Sequence, residues 1–255
     1  MTIPSSIANV HGPGGLQVTR NHPPRAGDAS DHDTMHPGIW LGFGDISGVD
    51  FWRNRGRIEH LSFSELPNEK NGVLRFVQEC RMRSGDKTLA TLTNRYTLSA
   101  RPGGWLLDWD ATFRAGDTAI AFGDQEEMGF GARVATGYTE KKAGVILNSL
   151  GQKTAKATWG KAAAWCDYSG KVDGKTIGIT LMPAPANFRE SWWHNRDYGV
   201  FVANPFGRAS MGQGARSSLT VAPGETMRVR FGAMLHTGEG YDPAAAYRDY
   251  LNVLK

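Results

Sequence analysis

Met227-Arg228-Val229-Arg230-Phe231 alternates apolar and charged residues at every step, the period-two pattern of a strand with one buried and one wet face. Arg95-Tyr96-Thr97-Leu98 repeats it. Outward from these two, short β-branched or aromatic runs bounded by Gly, Asp or Pro predict further strands. They are Leu16–Thr19, Ile39–Phe43, Gly56–Phe63, Val73–Arg83, Thr88–Ala100, Trp105–Arg114 and Ala119–Phe122 in the first half. Gly144–Asn148, Trp165–Ser169, Thr176–Pro183, Gly199–Ala203, Ser217–Val221 and Thr226–His236 follow. Ser84-Gly85-Asp86 and Pro223-Gly224 have hairpin chemistry. One helix is predicted, Ala244–Leu254, with Asp242 as N-cap and Pro243 at its first position. Strands that follow strands without intervening helices exclude βαβ units. The expected fold is all-β, a large antiparallel β-sandwich with one C-terminal helix, built as one domain over residues 1–255. Residues 1–38 form an extended arm and loop.

Composition agrees. Glycine contributes 32 of 255 residues, well above the usual ~7%, as a chain with many tight turns requires. No apolar run approaches the ~20 residues that span a bilayer as a helix. The first thirty residues lack a basic stretch followed by an apolar one, so no signal peptide is read. Cys80 and Cys166 are too few for a disulfide framework, and the expected compartment is the cytoplasm. The net charge is +4, but Lys and Arg are scattered, and no basic stripe points to nucleic acid.

Three segments carry the candidate chemistry. Asp31-His32-Asp33-Thr34-Met35-His36-Pro37-Gly38 sets two histidines and two carboxylates on a loop, a donor set that could converge on a metal. It runs into Gly42-Phe43-Gly44-Asp45 and on to Asp50-Phe51-Trp52, where glycines let the backbone approach a ligand. Gly123-Asp124-Gln125-Glu126-Glu127-Met128-Gly129-Phe130-Gly131-Ala132-Arg133 supplies three carboxylates and an arginine, suited to acid/base work or to sugar hydroxyls. Ser191-Trp192-Trp193-His194-Asn195-Arg196-Asp197-Tyr198-Gly199, leading to Asn204-Pro205-Phe206-Gly207, sets aromatic rings beside planar polar groups. No Gly-x-Ser-x-Gly elbow, P-loop or His-Glu-x-x-His is present, and Cys166 reads as a strand residue.

These blocks, with Trp165-Cys166-Asp167-Tyr168-Ser169-Gly170 between the second and third, resemble in content and order the bacterial family labelled methane oxygenase PmoA. Two positions depart from its pattern. Met35 precedes His36 where the family has a His-His pair, and Met128 stands where it has glycine. Oxygenase chemistry of a membrane enzyme does not transfer to a chain without a spanning segment. What the resemblance implies is a role in carbohydrate catabolism.

Three functions compete. The leading one is a glycoside hydrolase or lyase on a small, plain or keto-oxidised glycoside. There His36 and His194 act as base or metal ligand, and Asp45, Asp124 and Glu127 as acid/base carboxylates. Trp52, Trp193, Arg196, Asp197, Tyr198 and Asn204 hold the sugar, with Asp197 orienting His194 or Arg196. A carbonyl on the sugar acidifies the neighbouring C–H, so that one base suffices for elimination. The second is a mutarotase- or epimerase-like isomerase on a mutarotase-like supersandwich, and the third a non-catalytic sugar-binding protein. No cofactor is identified by the sequence, although the His and carboxylate set admits a divalent metal. The expected partner is a small carbohydrate, with neither nucleic acid nor membrane.

Overall fold

A computed structural model describes residues 5–255. In chain order its strands are β1 (Ser6–Ile7), β2 (Ile39–Phe43), β3 (Arg57–Lys70), β4 (Val73–Ser84) and β5 (Lys87–Arg101). Next come β6 (Gly104–Ala115), β7 (Ile120–Phe122), β8 (Met128–Arg133), β9 (Val145–Asn148) and β10 (Cys166–Val172). The last are β11 (Lys175–Pro183), β12 (Trp192–Asn195), β13 (Val200–Asn204), β14 (Leu219–Val221) and β15 (Thr226–Thr237). A one-turn helix α1 (Ala155–Thr158) follows β9, and α2 (Pro243–Val253) follows β15, capped by Asp242 as its sequence requires.

The strands form an antiparallel sheet of eight, ordered β3-β4-β5-β6-β15-β11-β10-β9, and one of five, ordered β1-β2-β8-β13-β12. β7 and β14 pair separately. The all-β sandwich with its C-terminal helix is therefore as expected. The strands on either side of Pro223-Gly224 belong to different sheets, so that turn changes layers and closes no hairpin. Leu16–Thr19 forms only isolated bridges, not a strand.

The core lies between the two large sheets. Phe130 stacks on Phe231 at 5.0 Å, Phe43 meets Phe113 edge-on at 5.1 Å, and Trp109 meets Phe130 at 5.6 Å. Alternation sends Ile39, Leu41 and Phe43 of β2, Phe130 and Ala132 of β8, and Phe201 and Ala203 of β13 into it. On the far side of the eight-stranded sheet, α2 lays Ala246 and Tyr250 over Leu106, Met182 and Met234. No helix among the described residues is long and apolar enough to cross a membrane.

Candidate functional site

The outward face of the five-stranded sheet is built in three lateral rows. Gly38, Arg133, Val200 and Arg196 share the first through backbone pairing of neighbouring strands. Trp40 pairs with Gly131, Gly131 with Val202, and Val202 with His194 in the second. Gly42 pairs with Gly129 in the third, where Asn204 pairs with Trp192. Glycine paves this face because rings lie on it. A Cβ on Gly131 would stand 2.7 Å from the Trp40 indole, and one on Gly42 would stand 2.6 Å from that of Trp52.

His36 sits against both indoles, with ring centres 5.2 Å from Trp40 and 5.1 Å from Trp52, and with His32 4.8 Å away on its edge. It is 5% exposed, holds φ at +60°, and its Nδ1 has no hydrogen-bond partner in the protein. Burial, with the nearby charge of Arg133, lowers its pKa to about 2, so the ring is neutral at physiological pH.

The loop that presents His36 is organised by a residue with no motif around it. Arg20 is fully buried and donates to the carbonyls of Ala29, Asp31, His32 and Met35 at 2.6–3.2 Å. The Asp31 carboxylate receives two hydrogen bonds from Arg133, at 2.8 and 2.9 Å. Partial burial opposes ionisation of Asp31, but the bonds and charge of Arg133 outweigh it and hold the pKa at about 2. The ring of Tyr198 lies 4.8 Å from the Arg133 guanidinium, a cation–π contact.

Across the same face stands a second group. His194 is 4% exposed, and its Nδ1 lies 3.4 Å from Oε2 of Glu126. Arg196 Nη2 reaches the two Glu126 oxygens at 3.2 and 3.3 Å. His194 and then Arg196 lower the pKa of Glu126 against its partial burial. Alternation along β12 sends His194 outward while Trp193 and Asn195 point inward, and Arg196 joins His194 at Glu126, in the role that the sequence assigns to Asp197. Trp40 and His194 are three strand spacings apart, roughly 14 Å. The His36 and His194 segments thus lie on one face of the sheet.

Six expected site residues have other employment. Asp124 accepts from the backbone N–H groups of Ala209, Ser210 and Ser217 at 2.7–2.9 Å, which lower its pKa to about 2 against the effect of burial. It ties the 205–217 loop to the sheet through these backbone donors. Asp45 closes its own turn by accepting from Gly48 N–H. Glu127 turns away from His194 to Arg53, 2.8 Å distant, which also pairs with Asp50. Trp193 is a core residue, its Nε1 bonded to the Ala163 carbonyl. The Asp197 carboxylate is exposed beside Lys141 at 3.5 Å and orients neither His194 nor Arg196. Asn204 is spent on backbone, donating to the Gln125 and Glu126 carbonyls and accepting from Phe206 and Gly207. That brace holds Glu126 in place. Among the described residues no group of three or more His, Cys, Asp or Glu is arranged to hold a metal ion.

Asp31, Glu126 and Arg133 are members of the quoted segments to which the sequence assigns no individual role, and Trp40 lies beside them unnoticed. The missed strands β8 and β12 explain part of this. Met128-Gly129-Phe130-Gly131 reads as a glycine-rich loop because its outward positions are the glycines beneath the indoles.

No curated protein matches the chain. Among solved structures, a β-arabinopyranosidase is 13% identical with a TM-score of 0.46, over 79% of this chain. The alignment covers 35% of that enzyme, so this chain spans about a third of its length. The Slr1438 protein of Synechocystis sp. PCC 6803 is 11% identical with a TM-score of 0.41, over 79% of this chain and 78% of that one. A galactose mutarotase related enzyme from Lactobacillus acidophilus is 11% identical with a TM-score of 0.39, over 92% and 97%. The resemblance to the family labelled methane oxygenase PmoA is corrected by the family comparison. The family model that matches, over residues 7–249, is described as a family of unknown function and not as a methane oxygenase family. This chain belongs to that family of unknown function, DUF6807.

Proposed function

We propose that the protein is a carbohydrate-active enzyme, a hydrolase or lyase of a small glycoside, in which His194 moves the proton. The observation that carries this reading is the His194–Glu126–Arg196 cluster on the sheet face that also holds the neutral His36. The Glu126 carboxylate lies 3.4 Å from Nδ1 without an aligned hydrogen bond to it, and its negative charge favours the tautomer protonated there, which leaves Nε2 as the basic nitrogen. Arg196 keeps Glu126 ionised and adds a positive charge beside the reacting centre. His36 cannot serve as an acid that arrives protonated at neutral pH. As a neutral imidazole it binds hydroxyl or carbonyl oxygen through a ring N–H.

On a keto-glycoside the chemistry balances without an added reactant. His194 takes the proton from the carbon between the carbonyl and the anomeric carbon, and the C–H electron pair forms an enolate. The enolate collapses to a C=C bond and expels the aglycone oxygen, which recovers the proton from the imidazolium. Arg196 stabilises the enolate oxygen, the place where charge develops.

Purified protein assayed on plain and keto-glycosides tests this. His194→Ala and Glu126→Gln are expected to lower turnover by about 10²–10⁴-fold and about tenfold or more respectively, with sugar binding retained. Wild type that binds sugars without turning any over is instead a binding protein. Turnover unaffected in both variants removes His194 from the mechanism.

A further inference from the structure

The two large sheets differ in width, and the five-stranded one does not cover the eight-stranded one. β1 ends the narrower sheet, and Ser5 beside it accepts a hydrogen bond from Asn94 Nδ2 of β5 at 3.3 Å. β4 and the edge strand β3 lie beyond that contact. A row of rings marks where the cover stops. Phe231, Trp109, Tyr96 and Phe76 pair across β15, β6, β5 and β4, and Phe63 of β3 continues the row. Ring centres are 4.7 Å apart for Trp109 and Tyr96, 4.6 Å for Tyr96 and Phe76, and 6.1 Å for Phe76 and Phe63. Trp109 is fully buried, Phe76 partly buried, and Phe63 40% exposed. The paired Leu74 and Leu98, one row along from Phe76 and Tyr96, are partly buried as well.

β3 adds apolar surface of its own. Every residue from His60 to Lys70 is exposed, and among them Leu61 is 49% and Leu66 72% exposed. Both leucines fall at register shifts, with no paired residue on β4, and a bulge re-aims the side chain that it carries. The same shifts, with Pro67, interrupt the regular row of N–H and C=O groups that an added strand would need. This edge therefore presents side chains to a partner, and not an open ladder.

A sheet buries its apolar face against a second layer, and five strands leave that layer unfinished over β3 and β4. Contiguous apolar surface left exposed in this way marks a contact with another molecule. Phe63, Phe76, Leu74, Leu98 and the neighbouring Gln78 carry no charge. A charged partner would lose the hydration of its ions against them and gain no counter-charge, whereas the same face laid on itself brings no like charges together. The leucines offer a sugar neither an aromatic face nor a polar group. We infer that the β3–β4 overhang is a homodimer interface, in which two copies pack these side chains about a two-fold axis near Phe63. The candidate site lies on the outward face of the other sheet and has no residue in it.

Sedimentation equilibrium of the full chain across roughly 1–200 µM tests this. Wild type should pass from the mass of one chain to that of two and stop there. Phe63→Lys and Phe63→Glu each set like charges across the axis and should stay monomeric, with the circular dichroism spectrum of wild type. An equimolar mixture of the two should recover the dimer, because opposite charges then meet. Leu66→Ser, at a side chain too exposed to disturb the fold, should weaken association by about tenfold. Wild type that stays monomeric at the highest concentration overturns the interface, as does a dimer that survives both charges at Phe63 or an unaltered one in Leu66→Ser. A mixture no more associated than its components removes the two-fold axis at Phe63. Growth past two chains also overturns the proposal, since that is strand addition at an open edge. None of these measurements uses a sugar, so the interface and the carbohydrate reading stand or fall separately.

Discussion

Asp124 and Glu126 stand two residues apart, and only their surroundings separate a brace from a reactive group. The Asp124 oxygens accept from three backbone N–H groups and from the Ser217 hydroxyl, whereas those of Glu126 face His194 and Arg196. Asp124→Asn replaces a charged acceptor with a neutral amide whose NH2 confronts backbone donors. Urea unfolding should show a loss of about 2–4 kcal/mol, with turnover per folded molecule unchanged. A loss of turnover at unchanged stability would return Asp124 to the chemistry. Sequence cannot make this distinction, because a carboxylate in a glycine-rich turn reads alike whether its partners are N–H groups contributed from residues 209–217 or a substrate. Arg20 was illegible for the same reason: its four acceptors are carbonyls, which every residue possesses.

Elements were most legible where both faces of a strand carry side chains. β2 has the predicted bounds, and β4, β5, β6 and β15 differ from theirs by a few terminal residues, since alternation there is written in bulky residues. β8 was lost because half of its alternation is glycine. The helix α2 was legible from its cap and proline, but not its seat on the outer face of the eight-stranded sheet. Gly232 leaves room there for the Tyr250 ring, 2.9 Å from where a Cβ would stand. The Tyr250 hydroxyl is buried without a hydrogen-bond partner in the protein. Tyr250→Phe should therefore leave stability within about 1 kcal/mol of wild type or raise it, whereas Tyr250→Ala opens a cavity and should cost about 3–5 kcal/mol. Equal losses in the two variants, by thermal or urea melting, would mean that the hydroxyl has a partner.

The molecule as a whole should register the buried imidazole in its acid stability. His36 has a folded pKa of about 2 against an ordinary value of 6.5, so between these limits the unfolded chain binds a proton that the folded chain refuses. Stability is then complete above pH 6.5 and falls as pH drops, by up to about 1.4 kcal/mol per pH unit for one proton. Asp124 and Asp31, with folded values near 2 against 3.8, add to the loss only below pH 3.8, Asp31 the less because solvent screens its exposed carboxylate. Urea midpoints measured from pH 7 to 3 should show this early limb, and His36→Gln should flatten it above pH 4. A wild-type profile already flat from pH 6.5 to 4.5 would mean that His36 reaches water. At this scale the sandwich was legible from strand periodicity, but which strands become neighbours was not, since pairing is decided by shape and burial across long stretches of chain. The order β1-β2-β8-β13-β12 has a consequence in time. During synthesis the consecutive strands β3 to β6 are complete by Ala115, yet β6 keeps an open edge until Thr226–Thr237 emerges. A nascent chain halted at Arg133 can pair Trp40 with Gly131, but Val202 and His194 do not yet exist. Ribosome-bound fragments can thus hold much of the eight-stranded sheet while lacking any competent face, and a chaperone has that interval in which to shield the unpaired edges.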